Sequence, residues 1–205
     1  ITTDYDLIKK KFMEAKLTDT LVKRMKILLA KITEPIAVRS SGLFEDSLMQ
    51  PFAGTFETYL LPNCHPDINV RLKQALDAVK LVFASIYSPE ARGYIEAVHY
   101  KIEEEKMAVV IQELVGQNYN GKYYPSVSGV AQSYNYYPIS YMKPEDGFSV
   151  AAVGFGKYVV GGENAFRFCP YYPNINPTSV VDQVRDTQKV FYAMDLTNPD
   201  IDLVA

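Results

Sequence analysis

The segment AVRSSGLFEDSLMQPFAGTFET, residues 37–58, changes abruptly from an apolar strand to a polar loop. The apolar residues 36–38 predict a buried strand, and Arg39, Ser40 and Ser41 follow at its end. A guanidinium is a permanently charged donor of two parallel hydrogen bonds, and the hydroxyl groups beside it are further donors. The end of this strand is therefore a candidate site for an anion.

A glycine loop lies at the other end of the same segment. Gly54 and Thr55 follow Phe52 and Ala53, and Thr58 begins the next apolar run. Glycine allows backbone N–H groups to approach an oxyanion closely, and threonine hydroxyls add donors. Donors therefore converge from both ends of one loop.

The same residues also fit a structural interpretation without a ligand. Arg39 can pair with Glu45 or Asp46, and Gly54 then only reverses the chain. The residues alone leave the two interpretations equally open.

Composition and charge restrict the classes of function. The chain has 205 residues, of which 48% are hydrophobic and 22% are charged, as in an ordinary globular protein. A formal net charge of -3 provides no excess of Lys and Arg for nucleic acid or an acidic membrane surface. No segment approaches the roughly 18 apolar residues of a membrane span. We therefore expect neither nucleic acid nor a membrane as a partner.

The cysteines and histidines form no recognisable site. Cys64 and Cys169 are far apart and lie in none of the spacings of zinc ligands, and His65 and His99 have no carboxylate or nucleophile at a motif spacing. We therefore expect no disulfide framework, no metal held by these residues, and a cytoplasmic protein with reduced thiols.

Helical periodicity occurs near both ends and in the middle of the chain. It predicts two helices within residues 5–32, one over 66–88, one from the Ser88 N-cap to about residue 99, and a final helix that begins at 176–179. The final helix is expected to keep one apolar side, formed by Val180, Val184, Thr187, Phe191 and Met194. The charged run 101–106 is expected to be a solvated connection.

Short apolar runs separated by turn residues predict strands. They cover residues 36–38, 58–61, 107–115, 125–132, 148–155 and 165–169. Turn signals at Asn120-Gly121, 145–147 and 161–162 separate the later runs and favour antiparallel pairing. The expected fold class is α+β, with helices packed on a mostly antiparallel sheet.

Two glycine patterns resemble nucleotide loops but lack a required feature. GQNYNGK at 116–122 has the spacing of a phosphate loop, yet Tyr123 follows where a small hydroxyl must hold magnesium, so Asn120-Gly121 predicts a hairpin. GFGKYVVGG at 154–162 has the wrong spacing for a dinucleotide fingerprint, and a strand-like run, 158–160, replaces the helix. The tyrosines between 119 and 141 suit either a sugar or protein contact or half-buried strands.

Four motifs in order carry a family resemblance. AVRSSGLFEDSLMQPFAGTFETYL, MAVVIQELV, SGVA at 128–131 and GFGKYVVGGE at 154–163 resemble the N-terminal ATP-binding domain of the phosphoenolpyruvate synthase and pyruvate phosphate dikinase family. The resemblance implies an ATP-grasp-like lobe over residues 34–170, preceded by a helical segment at 1–33. It also implies that 171–205 form a C-terminal helix and the start of a remainder, so the chain is expected to be a fragment.

The resemblance also implies a function and a site. Complete enzymes of the family transfer a phosphoryl group from ATP to a histidine on another domain, which passes it to pyruvate or another small acceptor, and Mg²⁺ accompanies the ATP. By resemblance Arg39 would bind the nucleotide phosphates as the catalytic residue. The other nucleotide contacts implied by the resemblance are Gly54, Thr55 and Thr58 at the phosphates, and Gln112, Glu113 and Val115 at the adenine.

The sequence departs from the family pattern in several places. The family's glycine-lysine segment, its downstream acid and glutamine positions and its phosphohistidine domain are not recognisable, so the isolated chain is not expected to complete a turnover. Lys157 stands where the family often has an acid, and QSYNYYP at 132–138 replaces the usual segment after SGVA. Two alternatives therefore stay open: a degenerate, non-catalytic nucleotide-sensing or scaffold module, and a tyrosine-rich binding module without nucleotide.

Overall fold

The computed structural model describes residues 4–43, 54–97, 99, 101–102, 105–157, 159, 164–175, 179–198 and 203–204. The chain forms two compact units. The first comprises Ile1–Leu114 and Asn198–Asp202, and the second comprises Val115–Thr197 and Leu203–Ala205. The domain boundaries expected from the sequence, 33/34 and 170/171, stay predictions.

The helices of the first unit begin at side-chain caps. They are α1 (Tyr5–Glu14), α2 (Asp19–Lys31), α3 (Ile68–Ala84) and α4 (Pro89–Ala97), and a 3₁₀ turn, Ser85–Tyr87, follows α3. Asp4, Thr18 and Asp67 accept backbone N–H groups in the first turns of α1, α2 and α3. Ser88 Oγ accepts the N–H of Ala91 at 3.1 Å, which confirms the predicted cap and the proline at the first position of α4.

The sheet of the first unit has three antiparallel strands in the order β2-β1-β3. They are β1 (Ile36–Gly42), β2 (Thr58–Leu61) and β3 (Met107–Glu113). The central strand β1 pairs with both neighbours, so that Arg39 lies opposite Thr58 on one side and Val110 on the other. The strand predicted at 58–61 is confirmed. The strands predicted at 36–38 and 107–115 are confirmed in place, but β1 continues to Gly42 and β3 ends at Glu113.

One face of this sheet packs on the helices. Ile36, Val38 and Leu61 point into a core that also contains Leu29 of α2 and Val82 of α3. All five are at most 2% exposed. Because side chains alternate along a strand, the residues between these positions point to the opposite face. The core therefore fixes which side chains β1 presents away from the helices.

A buried asparagine holds the connection that leads into β1. Asn63 is 4% exposed, and its Nδ2 donates to the carbonyls of Ile32 and Glu34 at 3.0 and 2.9 Å. Nη1 of Arg71 donates to Asn63 Oδ1 at 3.3 Å and to the carbonyl of Leu29, at the end of α2, at 3.0 Å. These bonds satisfy the carbonyls between helix α2 and strand β1.

The second unit contains two small antiparallel sheets. One has the order β10-β9-β5-β4 and the other the order β6-β7-β8. The strands are β4 (Gln117–Tyr119), β5 (Lys122–Tyr124), β6 (Ser128–Gln132), β7 (Phe148–Ala152), β8 (Phe166–Phe168), β9 (Ala193–Asp195) and β10 (Leu203–Val204). With the first unit, these sheets confirm the α+β class.

The hairpin predicted at Asn120-Gly121 is confirmed between β4 and β5. Both turn residues have positive φ, 53° and 84°, as a two-residue hairpin of this kind requires. Tyr123 is 4% exposed and belongs to β5. The GQNYNGK segment is therefore a hairpin, and no phosphate loop runs from it into a helix.

Two expectations for the later part of the chain are wrong. Helix α5 (Val180–Asp186) begins at the expected cap, Ser179, but ends before Phe191 and Met194, and Met194 belongs to β9. The side chain of Gln188 exchanges two 2.8 Å hydrogen bonds with the backbone of Val153, and these bonds hold the chain in a non-helical path. Residue 159, which is the described residue of the strand-like run 158–160, is helical.

No helix within the described ranges is long and apolar enough to cross a membrane.

The Asn63 network predicts a large loss of stability on its removal. Asn63→Ala removes the Nδ2 bonds to two backbone carbonyls and one of the acceptors of Arg71, and alanine disfavours the φ of 51° at this position. We expect a loss of about 2–3 kcal/mol in the free energy of unfolding, measured by urea denaturation. Asn63→Gly avoids the backbone strain but does not restore the hydrogen bonds, so it should recover only part of the loss. Full recovery in Asn63→Gly would show that the hydrogen bonds contribute nothing.

Candidate functional site

The pairing register brings Arg39 and Thr58 together on one face of the first sheet. They are opposite residues of β1 and β2, and Val110 of β3 lies on the other side of Arg39. Directly opposite residues point to the same face of an antiparallel sheet, with Cβ atoms roughly 5 Å apart. All three are exposed. A guanidinium and a hydroxyl thus stand side by side on a surface that the helices leave uncovered.

Gln112 joins the same surface. It lies opposite Ala37, two residues from Arg39 on β1, and it is exposed. We call the surface formed by Arg39, Thr58, Val110 and Gln112 the open face. It carries a cation at one end, an amide at the other, and the apolar side chain of Val110, which is 41% exposed, on β3 between them.

Two other predicted site residues lie elsewhere. Glu113 is paired with Ile36, so its side chain is on the helix-covered face and not on the open face. Val115 follows the end of β3, belongs to the second unit and is 83% exposed. Glu113 can therefore reach a ligand on the open face only through its backbone groups. The adenine contact predicted for Val115 stays a prediction.

Gly54 occupies a turn that requires a glycine. Its φ is 78°, and a Cβ atom added to it would meet nothing within 4 Å. Its backbone angle is therefore the constraint, and not lack of space. Thr55 is half-buried, and Phe56 is 6% exposed and packs on Ala91 and Ile95 of α4. Phe56 thereby attaches the turn to helix α4, two residues before Thr58.

The Arg39 side chain is available to a ligand. Among the described residues its guanidinium has neither a hydrogen-bond nor an ion-pair partner. The alternative partners Glu45 and Asp46 lie outside the described residues, as do Phe52 and Ala53 of the glycine loop. The ion-pair interpretation of Arg39 therefore stays a prediction.

A carboxylate held by two tyrosines fixes the start of β2. Tyr5 of α1 donates to Glu57 Oε1 at 3.1 Å, and the Tyr59 hydroxyl donates to Glu57 Oε2. The N–H of Glu57 donates to Oγ of the fully buried Ser85 at 3.1 Å. Burial, together with the neighbouring carboxylate, raises the pKa of both tyrosines well above the usual value. Glu57 directly precedes Thr58, so the network positions a residue of the open face.

No sequence pattern singles out Glu57 or Ser85, and the expectation for Glu105 is wrong. The charged run 101–106 was expected to be solvated, but Glu105 is 9% exposed and its Oε1 accepts the N–H of Leu43 at 2.7 Å. A buried carboxylate cannot be told from a solvated one by composition, because its partner is distant in the chain.

The glycine motif of the second unit has a defined local structure. Gly154 has a φ of 75°, and a Cβ atom there would lie 2.7 Å from the carbonyl oxygen of Tyr192. Ser128 Oγ donates to the Gly154 carbonyl at 2.7 Å, which joins the SGVA and GFGK motifs. Nζ of Lys157 lies 4.5 Å from the centre of the Tyr192 ring, a cation–π distance. Gly161 and Gly162 lie outside the described residues.

The histidines and cysteines show no catalytic arrangement in the described ranges. His65 Nδ1 accepts the N–H of Asp67 at 3.0 Å, which is a local turn contact. Cys64 is exposed and Cys169 is buried, and no disulfide joins them. Within the described ranges no group of three or more His, Cys, Asp or Glu side chains is arranged to hold a metal ion.

Comparisons with known proteins identify relatives of this chain. Residues 1–190 match the family model described as pyruvate phosphate dikinase, AMP/ATP-binding domain. A phosphoenolpyruvate synthase of Deinococcus radiodurans is 35% identical over 147 residues, which are 67% of this chain and 16% of that protein. A phosphoenolpyruvate synthase of Aeropyrum pernix is 30% identical over 138 residues, 66% of this chain and 14% of that protein. The uncharacterized phosphotransferase YvkC of Bacillus subtilis is 33% identical over 128 residues, 62% of this chain and 13% of that protein. The chain thus spans about a seventh of the length of these relatives.

The Glu57 network predicts a specific dependence of stability on pH. The folded protein keeps the Tyr5 and Tyr59 protons above about pH 10, where the unfolded chain loses them, so this contribution is complete below that pH and declines above it. Tyr59→Phe should cost about 1–2 kcal/mol at pH 7 through the lost bond to a carboxylate, and its stability should fall less steeply above pH 10. Urea unfolding between pH 7 and 11 measures both effects.

The exposed Tyr137→Phe serves as the matched control for Tyr59→Phe and should follow the wild-type curve. If the free energies of unfolding of Tyr59→Phe and the wild type fall in parallel above pH 10, the Tyr59 hydroxyl does not contribute to this pH dependence.

Gly54 and Gly93 form a matched pair for testing the turn. A Cβ atom would meet nothing within 4 Å at either glycine, but Gly54 has a positive φ and Gly93 lies in helix α4. Gly54→Ala should destabilise the protein by roughly 1–2 kcal/mol, and Gly93→Ala should stabilise it by roughly 0.5–1 kcal/mol. Thermal and urea unfolding measure the difference, and equal effects of the two substitutions would contradict the assigned turn.

Proposed function

The chain belongs to the pyruvate phosphate dikinase AMP/ATP-binding domain family, and we propose that it binds ATP on the open face of its first unit. The observation that carries this proposal is the register of Arg39 opposite Thr58, with both side chains exposed on the face that the helices leave uncovered. Phosphate oxygens are the ligands that a guanidinium and a hydroxyl in this arrangement bind best.

The phosphates of ATP are bound beside Arg39, in the middle of β1. Arg39 supplies two parallel donors and a permanent positive charge, and the Thr58 hydroxyl beside it is a third donor. Gly54 and Thr55 add backbone N–H groups from the turn that precedes β2. Because phosphoryl transfer depends mainly on positioning and on neutralising charge, a preformed set of donors supports this role.

The adenine lies toward the far end of β3. Gln112 is on the same face as Arg39, and its amide can both donate to and accept from a base edge. The side chain of Val110 lies beside Arg39, two residues before Gln112 on β3, and offers apolar contact to the ribose or base. Glu113 contributes its backbone groups, since its side chain does not share this face.

The full-length protein is a phosphotransferase in this proposal. It moves a phosphoryl group from ATP to a histidine on another domain and then to pyruvate or another small acceptor, in accord with the phosphoenolpyruvate synthases among its relatives. The chain contributes nucleotide binding to that reaction. Mg²⁺ would arrive with the ATP phosphates, and among the described residues no group of three or more His, Cys, Asp or Glu side chains is arranged to hold the ion. No step is therefore assigned to the metal here.

A non-catalytic nucleotide-sensing module is the second candidate. The observation that favours it is Lys157, whose ammonium lies over the Tyr192 ring where the family often has an acid. Such a module would bind ATP without transferring its phosphoryl group. A tyrosine-rich binding module, the third candidate, would bind no nucleotide.

Arg39→Ala tests the proposal. In the full-length protein we expect ATP affinity to fall by about 2–3 kcal/mol, roughly 30- to 150-fold, because a charge-assisted pair of donors is lost. Arg39→Lys should recover only part of this loss, since an ammonium lacks the planar pair of donors. Calorimetric titration with ATP, with and without MgCl₂, measures the affinities.

The control for Arg39→Ala is Arg24→Ala, which removes an exposed arginine from helix α2 and should bind ATP as the wild type does. Equal affinities of Arg39→Ala and wild type would exclude Arg39 from the site. Transfer of label from γ-labelled ATP to a histidine would distinguish the phosphotransferase from the sensing module. If the wild-type protein binds no ATP, the tyrosine-rich binding module is the remaining candidate.

A further inference from the structure

We propose that Glu105 is a positioning residue for this site, and that its carboxylate sets the end of strand β1 against the segment that carries Gly54. The role assigned to Glu105 rests on the proposed function, because the groups that it positions are the proposed phosphate donors. The contacts that make the assignment involve no nucleotide.

The first observation is the hydrogen bond at the end of β1. Glu105 is 9% exposed, and its Oε1 accepts the backbone N–H of Leu43, the residue after β1, at 2.7 Å. A bond from an N–H to a carboxylate is roughly twice as strong as one between neutral groups. The Leu43 side chain is 60% exposed, so side-chain packing does not hold the backbone here. The bond to the Glu105 carboxylate holds it.

The second observation is a close approach at Gly42. A Cβ atom on Gly42 would lie 2.9 Å from Glu105 Oε1 and 3.1 Å from Cε2 of Phe56. Real Cβ atoms are rarely found so near to other heavy atoms, so the carboxylate and the ring can both approach only because this residue is a glycine. The backbone of β1, the Glu105 carboxylate and the Phe56 ring therefore meet at one point.

Phe56 connects this point to the turn. It lies two residues after Gly54, and its ring is held by Ala91 and Ile95 of α4 in a small apolar cluster. Arg39 lies three residues before Gly42 on the other side of the contact. The spacing between the guanidinium and the Gly54 backbone is therefore set where Gly42, Phe56 and Glu105 touch.

The position of this contact separates it from the main core. The main core contains Leu29, Val38 and Val82, whereas Phe56 belongs to the second cluster, and Met107 packs against both. Removing the Glu105 carboxylate thus disturbs one corner of the unit and leaves the packing of β1 on α3. Burying a carboxylate is also costly, and an uncharged acceptor could satisfy one N–H group as well. What the binding segment requires from this position is therefore an acceptor oxygen for the Leu43 N–H group.

The test compares Glu105→Ala and Glu105→Gln in the full-length protein. Glutamine keeps an acceptor oxygen of the same shape, and alanine removes it. Glu96→Ala removes an exposed carboxylate from α4 and is the matched control. The affinities for ATP and for adenosine are measured by calorimetry. Hydrogen exchange of residues 42–43 and 54–58 is measured without nucleotide.

We expect Glu105→Ala to weaken ATP binding about tenfold or more and adenosine binding less than about twofold, because only the phosphate donors are displaced. The affinities of Glu105→Gln should stay within about threefold of the wild type for both ligands, and those of Glu96→Ala should equal the wild type. In Glu105→Ala alone, exchange should rise about tenfold at 42–43 and also at 54–58.

Two results would overturn the assignment of Glu105. One is unchanged exchange at 54–58 in Glu105→Ala, since the carboxylate would then not couple the two segments. The other is an equal loss of ATP and adenosine affinity, which indicates a general structural role. A wild-type protein that binds neither ligand would instead refute the proposed function, and the exchange measurement would still decide whether Glu105 couples the segments.

Discussion

The central position of β1 is the constraint on which the rest of the first unit depends. This strand pairs with β2 and β3, so its register fixes the side of the sheet to which each of their side chains points. Ile36 and Val38 bury one face against the helices, and Arg39 must consequently face away from them. A shift of one residue would exchange the two faces, which would bury a guanidinium and expose the core. The same packing that stabilises the fold thus presents the candidate site.

Polar groups from distant parts of the chain hold the ends of these strands. Asn63 and Arg71 satisfy the carbonyls before β1, Glu105 holds the N–H after it, and Glu57 holds the start of β2 through two tyrosines. Each group is wholly or partly buried, so each bond is stronger than it would be in water and its loss is more costly. The open face is therefore exposed while its supports are not, and a ligand can meet donors that are already in place.

Much of the fold was predictable because its signals are local. The 3.6-residue periodicity of α3, the Ser88-Pro89 start of α4 and the Asn120-Gly121 hairpin each depend on a few neighbouring residues, and each is confirmed. The end of the final helix was not predictable in this way. Val184 continues an apolar helical pattern, but Gln188 pairs with Val153, 35 residues earlier in the chain, and the helix stops. The prediction that Glu105 is solvated was wrong for the same reason, since its partner Leu43 is 62 residues away.

The sequence by itself determined the α+β class, most elements and the family, because propensities, turn residues and motif order are properties of the chain alone. It also identified Arg39, Thr58 and Gln112 as candidate ligand contacts. Only the tertiary structure decided that these three share one exposed face, that the Glu113 side chain lies on the other, and that Glu57 and Glu105 support the site. The physical reason is that the face of a residue and the burial of a carboxylate depend on strand register and on long-range packing, which no local pattern contains.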